Sequence, residues 1–165
     1  MSMIKMLLKE MDAEAITTHK MLQRIPDDKY DWKPHEKSMT IQELANHVAE
    51  LQGWISMTLN TDELDFAKFD YKPEQASSTE ALLKSFDEKM AKAIADLKNA
   101  SDAVLMENWT MRNGDTVYFT LPKIAVLRTW CFNHLIHHRA QLGVYLRLNN
   151  IRLPQIYGPT ADDNM

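Results

Sequence analysis

Several features that mark particular protein classes are scarce in this sequence. Cys131 is the only cysteine, so no disulfide can form within the chain, and a reducing cytoplasm is the expected compartment. Lysine and arginine are scattered and the formal net charge is −4, which argues against a nucleic-acid-binding protein. No apolar run approaches the length that crosses a bilayer, so we expect no membrane partner. Only four glycines occur, and this scarcity favours helices over sheet.

What the chain does contain is typical of a helical protein of one domain, spanning residues 1–165. Alanine, leucine, methionine, lysine and glutamate abound, and apolar residues recur at helical spacing in four long segments. The predicted helices cover about residues 2–24, 41–58, 78–98 and 122–149. Mostly short connections between such segments are typical of a bundle.

The helix starts are marked by polar residues. Thr40 and Glu43 have capping-box spacing, and Ser77 and Glu80 repeat it, which predicts helices that open at these two points. Thr120 and Pro122 are expected to open the last helix.

A β-hairpin is expected just before the last helix. Asn113-Gly114 lies between two β-prone runs, which is the pattern of a type I′ turn with positive φ at both central residues. The chain between about residues 60 and 77 reads as a polar crossover, and the proline-punctuated tail as a surface segment. The predicted fold is therefore all-α: an up-and-down-type four-helix bundle with a small β-hairpin before the last helix.

Histidines are the candidate functional residues. His134 and His138 are four positions apart, so they lie one turn apart on a helix face shared with Cys131 and Tyr145, which we expect to face the core. His47 lies on the apolar stripe of the second predicted helix. Three core-facing imidazoles are costly to bury unless their nitrogens are satisfied, and one metal ion would satisfy all three.

Other interpretations of these residues stay open. The histidines could instead hydrogen-bond within the core, and spacing alone does not decide between the two. Glu50, one turn after His47, could be a fourth ligand, a general base, a hydrogen-bond acceptor for a ligand, or a solvated carboxylate. Cys131 is about 10 Å along the helix axis from His138, so it is expected to be a packed apolar residue. The histidines and tryptophans without ligand spacing are expected to be surface residues and packing anchors, namely His19, His35, Trp32, Trp54, Trp109 and Trp130.

Three stretches of the sequence resemble the DinB-like family of bacterial metal-binding four-helix bundles. They are DWKP leading into SMTIQELANHVAEL, the run NHLIHHRAQLGVYLRL, and the ending LPQIYGPTADD. The family pattern of one histidine early in the second helix and an HxxxH pair in the last maps onto His47, His134 and His138. The region from about residue 60 to 108 carries little of this resemblance.

The resemblance implies a divalent metal on these three histidines and, in several relatives, a thiol S-transferase that uses a small bacterial thiol such as bacillithiol or mycothiol. It also implies a homodimer. Zinc is the expected metal, with nickel, iron, copper or manganese as alternatives. Three neutral ligands leave an open coordination position, which is typical of catalytic sites. We expect a small thiol to attack an electrophile there, with Glu50 or Tyr145 as proton carriers. A non-enzymatic stress-response protein and a metal-dependent hydrolase are the alternatives.

Overall fold

The computed structural model describes residues 2–69, 71–73 and 75–163, and most of them are helical. The four expected helical segments are present, and their ends lie within a few residues of the predicted ones. They are α1 (Met3–Leu22), α2 (Ile41–Asn60), α3 (Thr79–Asn99), and a last segment that runs through α4 (Lys123–Val126), a π-helical stretch (Leu127–Asn133) and α5 (His134–Leu148). In the described part of the chain, no helix is both long and apolar enough to span a membrane.

The helix starts confirm one prediction and correct two others. At α2 the capping box is complete, because Glu43 N–H donates to Thr40 Oγ1 and Thr40 N–H donates to Glu43 Oε2. The box predicted at Ser77 is wrong by one residue: α3 is capped by Ser78, whose Oγ accepts from Ala81 N–H at 3.2 Å. The last helix begins at Lys123 and not at Thr120, because strand pairing continues to Pro122.

A small sheet accompanies the helices. Strand β2 (Asn108–Asn113) pairs antiparallel with β3 (Thr116–Pro122), which confirms the hairpin, and β1 (Glu63–Asp65) adds a parallel strand that the sequence did not predict. The type I′ turn on Asn113-Gly114 is wrong. Asn113 pairs with Thr116, so Gly114 and Asp115 form the turn, and of these only Gly114 has positive φ (56°). The fold is thus mostly helical with a three-stranded sheet.

The directions of the helices do not alternate, which corrects the up-and-down prediction. Gln42 near the start of α2 donates to the Ala76 carbonyl just before α3, and Asn60 at the end of α2 donates to Asp96 near the end of α3. Helices α2 and α3 therefore run parallel. The crossover between them (residues 61–78) allows this, because an extended chain reaches about 3.3 Å per residue and α2 is only about 30 Å long.

Each long helix contacts two others around one apolar core. Helix α2 packs against α3 and α5, and α1 packs against the same two helices. The core includes residues from all four segments, such as Leu22, Ile41, Leu44, Phe86, Leu97, Leu127 and Leu142. A smaller cluster lies under the sheet, formed by Leu64, Trp109, Met111 and Val126.

A buried polar contact attaches the tail to the helices, as expected for a segment that lies across them. Arg139 on α5 is 2% exposed, and its guanidinium donates to Glu14 Oε2 on α1 at 2.6 Å. The Tyr157 hydroxyl in the tail accepts from Arg139 and donates to Glu14 Oε1. Since a buried guanidinium must be paired, this contact holds α1, α5 and the tail in one arrangement.

Candidate metal centre

Two neighbouring helices bring three histidines together. His47 lies on α2, and His134 and His138 lie one turn apart on α5, so the (i, i+4) pair faces the single histidine across the contact between these helices. One ligand nitrogen from each residue lies within 4.8 Å of the other two. In the described part of the chain, no other group of three histidine, cysteine or carboxylate side chains is placed in this way. The ligand set predicted from spacing is therefore assembled in space.

Each of the three imidazoles has an acceptor at Nδ1. His47 Nδ1 is 2.7 Å from Glu50 Oε1, His134 Nδ1 is 3.3 Å from the Trp130 carbonyl, and His138 Nδ1 is 2.8 Å from Gln141 Oε1. A carbonyl or carboxylate oxygen can only accept, so the proton of each neutral ring belongs on Nδ1. This leaves the Nε2 lone pair of every ring free to bind a metal.

The spacing of the His47 and His134 nitrogens fits one ion. His47 Nε2 and His134 Nε2 lie 3.4 Å apart, and with both ring protons on Nδ1 these atoms have no hydrogen bond to share. Two nitrogens bound at about 2.0–2.1 Å to one tetrahedral ion lie about 3.3–3.4 Å apart. Facing lone pairs at this distance favour a cation between them.

The histidines lie beside the buried faces of their helices, which corrects the prediction that they face the core. On α5 the buried positions include Leu135 and Arg139, each one residue after a histidine, whereas Leu148 on the predicted inner face is exposed. His47 keeps 21% of its side chain exposed. The π-helical stretch changes the residue count per turn before His134, so an ideal α-helical wheel wrongly places the buried Leu127 and Cys131 on the same face as the histidines. Because the histidines are not enclosed by the core, His47 lines a polar cavity, and His47 and His134 line a second, apolar one.

Glu50 is buried and contacts the His47 ring at Nδ1. Its side chain is 10% exposed, which excludes the solvated-carboxylate interpretation. Besides accepting from His47, Oε1 accepts from the Tyr71 hydroxyl at 2.5 Å. Burial, followed by the hydrogen bond and charge of Glu50, raises the pKa of Tyr71, so the phenol stays protonated and donates. Glu50 thus fixes the orientation of the His47 ring through its Nδ1 atom.

Tyr71 is the functional residue that sequence reasoning missed. It lies in the crossover between α2 and α3, where neither periodicity nor family resemblance offers information. The only signal in the sequence was an aromatic residue within a polar segment, and that signal does not predict a contact with Glu50.

Burial lowers the pKa of the two α5 histidines and so favours their neutral form. Loss of solvent, and then the charge that His47 would carry, lower the pKa of both His134 and His138, the latter to about 4. Both rings are therefore neutral at pH 7. A neutral imidazole is the form that coordinates metal, so no proton has to be displaced on binding.

The remaining candidates lie outside the cluster. Tyr145 packs edge-on against Trp32, with ring centroids 5.6 Å apart, and within the described residues no hydrogen bond or ring contact joins it to the three histidines. Cys131 is buried as expected, and burial raises the pKa of its thiol to about 12. His137 is exposed and contacts His138 only through the edges of the rings.

A large polar cavity opens beside the histidines. Its volume is about 630 Å³, and His47, Glu50 and Tyr71 form one part of its wall. Lys33 and Lys37, from the loop before α2, line another part. A cavity of this size accommodates a small organic molecule, and its charged lining suits a polar one.

The donor set determines what the site could hold. Three imidazole nitrogens suit zinc, nickel, iron or copper, and three protein ligands leave at least one coordination position open. The free Nε2 lone pairs, the neutral rings and the Nδ1 acceptors all fit a divalent ion.

Comparisons with known proteins identify a family for the chain and solved structures of similar fold. The model of the DinB family matches residues 1–164. Among solved structures, a DinB-like protein from Bacillus cereus ATCC 10987 has a TM-score of 0.71 and 20% identity, with 91% of this chain and 95% of that chain covered. A DinB-like protein from Bacillus subtilis, YjoA, has a TM-score of 0.69 and 19% identity, with 97% and 99% covered. No curated protein matches the sequence.

Proposed function

Since the chain belongs to the DinB family, we propose that it binds one divalent metal ion and acts as a metal-dependent thiol S-transferase. His47, His134 and His138 are the proposed ligands. The observation that carries the proposal is that one ring nitrogen from each of the three histidines lies within 4.8 Å of the other two, beside an open polar cavity. Zinc is the first choice among the metals that imidazole binds.

A bound divalent ion would supply Lewis acidity that favours the thiolate form of a thiol. The chain itself supplies orientation. Glu50 fixes the ring of His47, Gln141 fixes that of His138, and Tyr71 fixes Glu50. A preorganised set of ligands does not have to rearrange when the thiol arrives, which is the way in which such sites gain rate.

The polar cavity is the proposed entry of the thiol. Lys33 and Lys37 lie in its wall together with His47, so a small thiol with anionic groups can reach the histidines while its charges meet ammonium groups. Bacillithiol and mycothiol are the first candidates, because the family resemblance points to them. Tyr145 lies apart from this wall, so Glu50 is the better supported of the two proton carriers.

Further parts of the proposal concern the whole protein. We propose that it is a single-domain four-helix bundle with an attached sheet, that it forms a homodimer, and that it works in the cytoplasm in stress response or detoxification. The packing of four helical segments around one core supports the bundle.

Metal content and conjugation together test the function. The protein is purified without a metal-affinity column, and elemental analysis compares wild type with His138→Ala and with His137→Ala, the adjacent exposed histidine. We expect one ion per chain in wild type and in His137→Ala, and loss of the ion in His138→Ala. Conjugation of chlorodinitrobenzene with bacillithiol, mycothiol, coenzyme A or glutathione should follow the same order.

Two results would count against the proposal. Equal metal content in wild type and His138→Ala would remove the three-histidine site. A stoichiometric ion without conjugation of any of these thiols would remove the transferase and favour a metal-binding protein without catalysis.

A further inference from the structure

A second cavity meets the polar one at the histidines. Its volume is about 200 Å³, and it shares His47 and Tyr71 with the polar cavity. His134 lines only this second cavity, so it borders the two histidines whose Nε2 atoms are 3.4 Å apart. The rest of its wall is apolar and comes from α2, the sheet region and the π-helical stretch, namely Leu51, Trp54, Phe66, Met111 and Trp130.

The lining and size of this aromatic cavity define what fits inside. None of its wall residues carries a permanent charge, so a charged group would lose its hydration there without compensation. An engineered apolar cavity of about 150 Å³ stays dry and binds benzene, so the larger space here has room for one ring with a small substituent. Two indoles in the wall favour offset or edge contacts with such a ring.

We propose that the aromatic cavity is the electrophile subsite and that it selects compounds with one apolar ring. The reactive carbon then faces His47 and His134, next to the polar cavity from which the thiol arrives. The reaction part of this inference rests on the transferase function proposed above, whereas the preference of the cavity for a ring does not depend on turnover.

A benzyl halide illustrates the reaction. The thiol becomes a thiolate at the site after its proton has passed by way of Glu50 to water. Its sulfur then forms a C–S bond with the benzylic carbon, and the carbon–halogen bond breaks with its electron pair leaving as halide. The apolar wall holds the ring, and the halide and the thioether product leave through the polar cavity.

Phe66 is the proposed specificity-determining residue of the cavity. It follows β1 and lies 37% exposed, with its ring 6.3 Å from that of Tyr118 on the hairpin. Because Phe66 is not part of the buried core, its removal opens the cavity wall without creating a void inside the protein. Phe69 offers a matched control: it is 41% exposed on the same crossover and its ring stacks on that of the wall residue Tyr71, with centroids 6.3 Å apart, but it does not itself line this cavity.

Binding of toluene to the metal-free protein tests the cavity without any reaction. Toluene is titrated into ¹⁵N-labelled protein, and the indole N–H resonances of the tryptophans are followed. We expect Trp54 and Trp130 to shift and Trp32, which packs against Tyr145, to stay in place. Phe66→Ala should raise the Kd of toluene about three- to tenfold, as loss of one aromatic contact predicts. Phe69→Ala should leave it within about twofold of wild type, because that ring makes no such contact.

A competition between electrophiles then tests the reaction. With metal-loaded protein and the active thiol, the ratio of kcat/KM for benzyl chloride over chloroacetamide should fall in Phe66→Ala by the same factor as toluene affinity. Conjugation without toluene binding at Trp54 and Trp130 would overturn this inference and leave the transferase intact. Toluene binding without any conjugation would support the ring-binding cavity and overturn the proposed function.

Discussion

Glu50 holds two neighbours of the site at the same time, because one oxygen accepts from both His47 Nδ1–H and the Tyr71 hydroxyl. Glu50→Gln removes the negative charge but keeps the shape. We expect metal affinity to fall about 10- to 100-fold, the usual loss when an acceptor behind a metal-binding histidine is weakened. Competition with a chelator of known affinity measures the change.

Glu43→Gln is the matched control for this substitution. Glu43 lies one turn before His47 on the same helix, lines the same polar cavity and is exposed. A glutamine can still close the α2 capping box, so the fold should be retained. If both variants lose affinity equally, the loss reflects the general negative potential and not the contact with His47.

Single residues of the site were predictable to different degrees. Helical spacing made His134 and His138 candidates, and the apolar stripe of α2 made His47 one, but the family resemblance was needed to favour a metal site over hydrogen-bonded core histidines. The acceptors at Nδ1 were harder to predict. The acceptor of His134, for example, is the backbone carbonyl of Trp130, and its position depends on the local backbone conformation. Tyr71 reaches Glu50 through a long-range contact from an irregular segment, and no local pattern encodes such a contact.

At the scale of elements, Asp102 caps α1 from the segment that follows α3, about a hundred residues along the chain. The Ser2 side chain makes no cap, and the first backbone N–H groups of the helix, those of Met3 and Ile4, donate to Asp102 instead. These bonds hold the pKa of the Asp102 carboxyl below its usual range, first through Ile4 N–H and then through the Ser2 hydroxyl. A lowered folded-state pKa means that this stabilisation is present above the unfolded value of about 3.9 and is lost as pH falls through the folded value.

Asp102→Asn should therefore lower Tm at pH 7 and have progressively less effect as the pH falls below about 3.9, where wild type also loses its carboxylate. Thermal unfolding from pH 7 down to pH 3, followed by circular dichroism, gives both values. Asp12→Asn on the exposed side of α1 serves as the control and should shift Tm little at either pH. A loss in Asp102→Asn that does not change with pH would mean that the carboxylate charge is not what stabilises α1.

The elements predicted best were those whose first residue is marked by a capping motif in the sequence. The Thr40–Glu43 box fixes α2 to the residue, whereas the serine pair Ser77-Ser78 offers two equivalent caps and only the tertiary structure selects the second. Strand β1 has three residues and exists only because β2 is beside it, so no periodicity could reveal it. The π-helical stretch is equally hidden, since its extra residue per turn depends on how the last helix packs.

The arrangement of the whole molecule could not be read from the pattern of helices. Four amphipathic segments fit several directions equally well, and short loops would have required alternation. The long crossover permits α2 and α3 to run parallel, and the same crossover brings the Tyr71 hydroxyl to Glu50 on α2. His47 meets His134 separately, across the contact between α2 and α5. Resemblance to a family was needed to connect these distant parts, because composition and spacing describe each segment separately.

Metal binding should stabilise the molecule as a whole, because the ion would join α2 to α5 beside the contact between these two helices. At free metal about 100 times Kd, binding to the folded state alone contributes about 2.7 kcal/mol, which raises Tm by about 5–10 °C for a chain of this length. Differential scanning calorimetry of chelated and zinc-loaded protein measures the shift. His137→Ala should keep it and His138→Ala should lose it, since His138, and not His137, belongs to the group of three histidines whose ligand nitrogens lie within 4.8 Å of one another. An equal rise in all three proteins would show that zinc acts elsewhere on the surface.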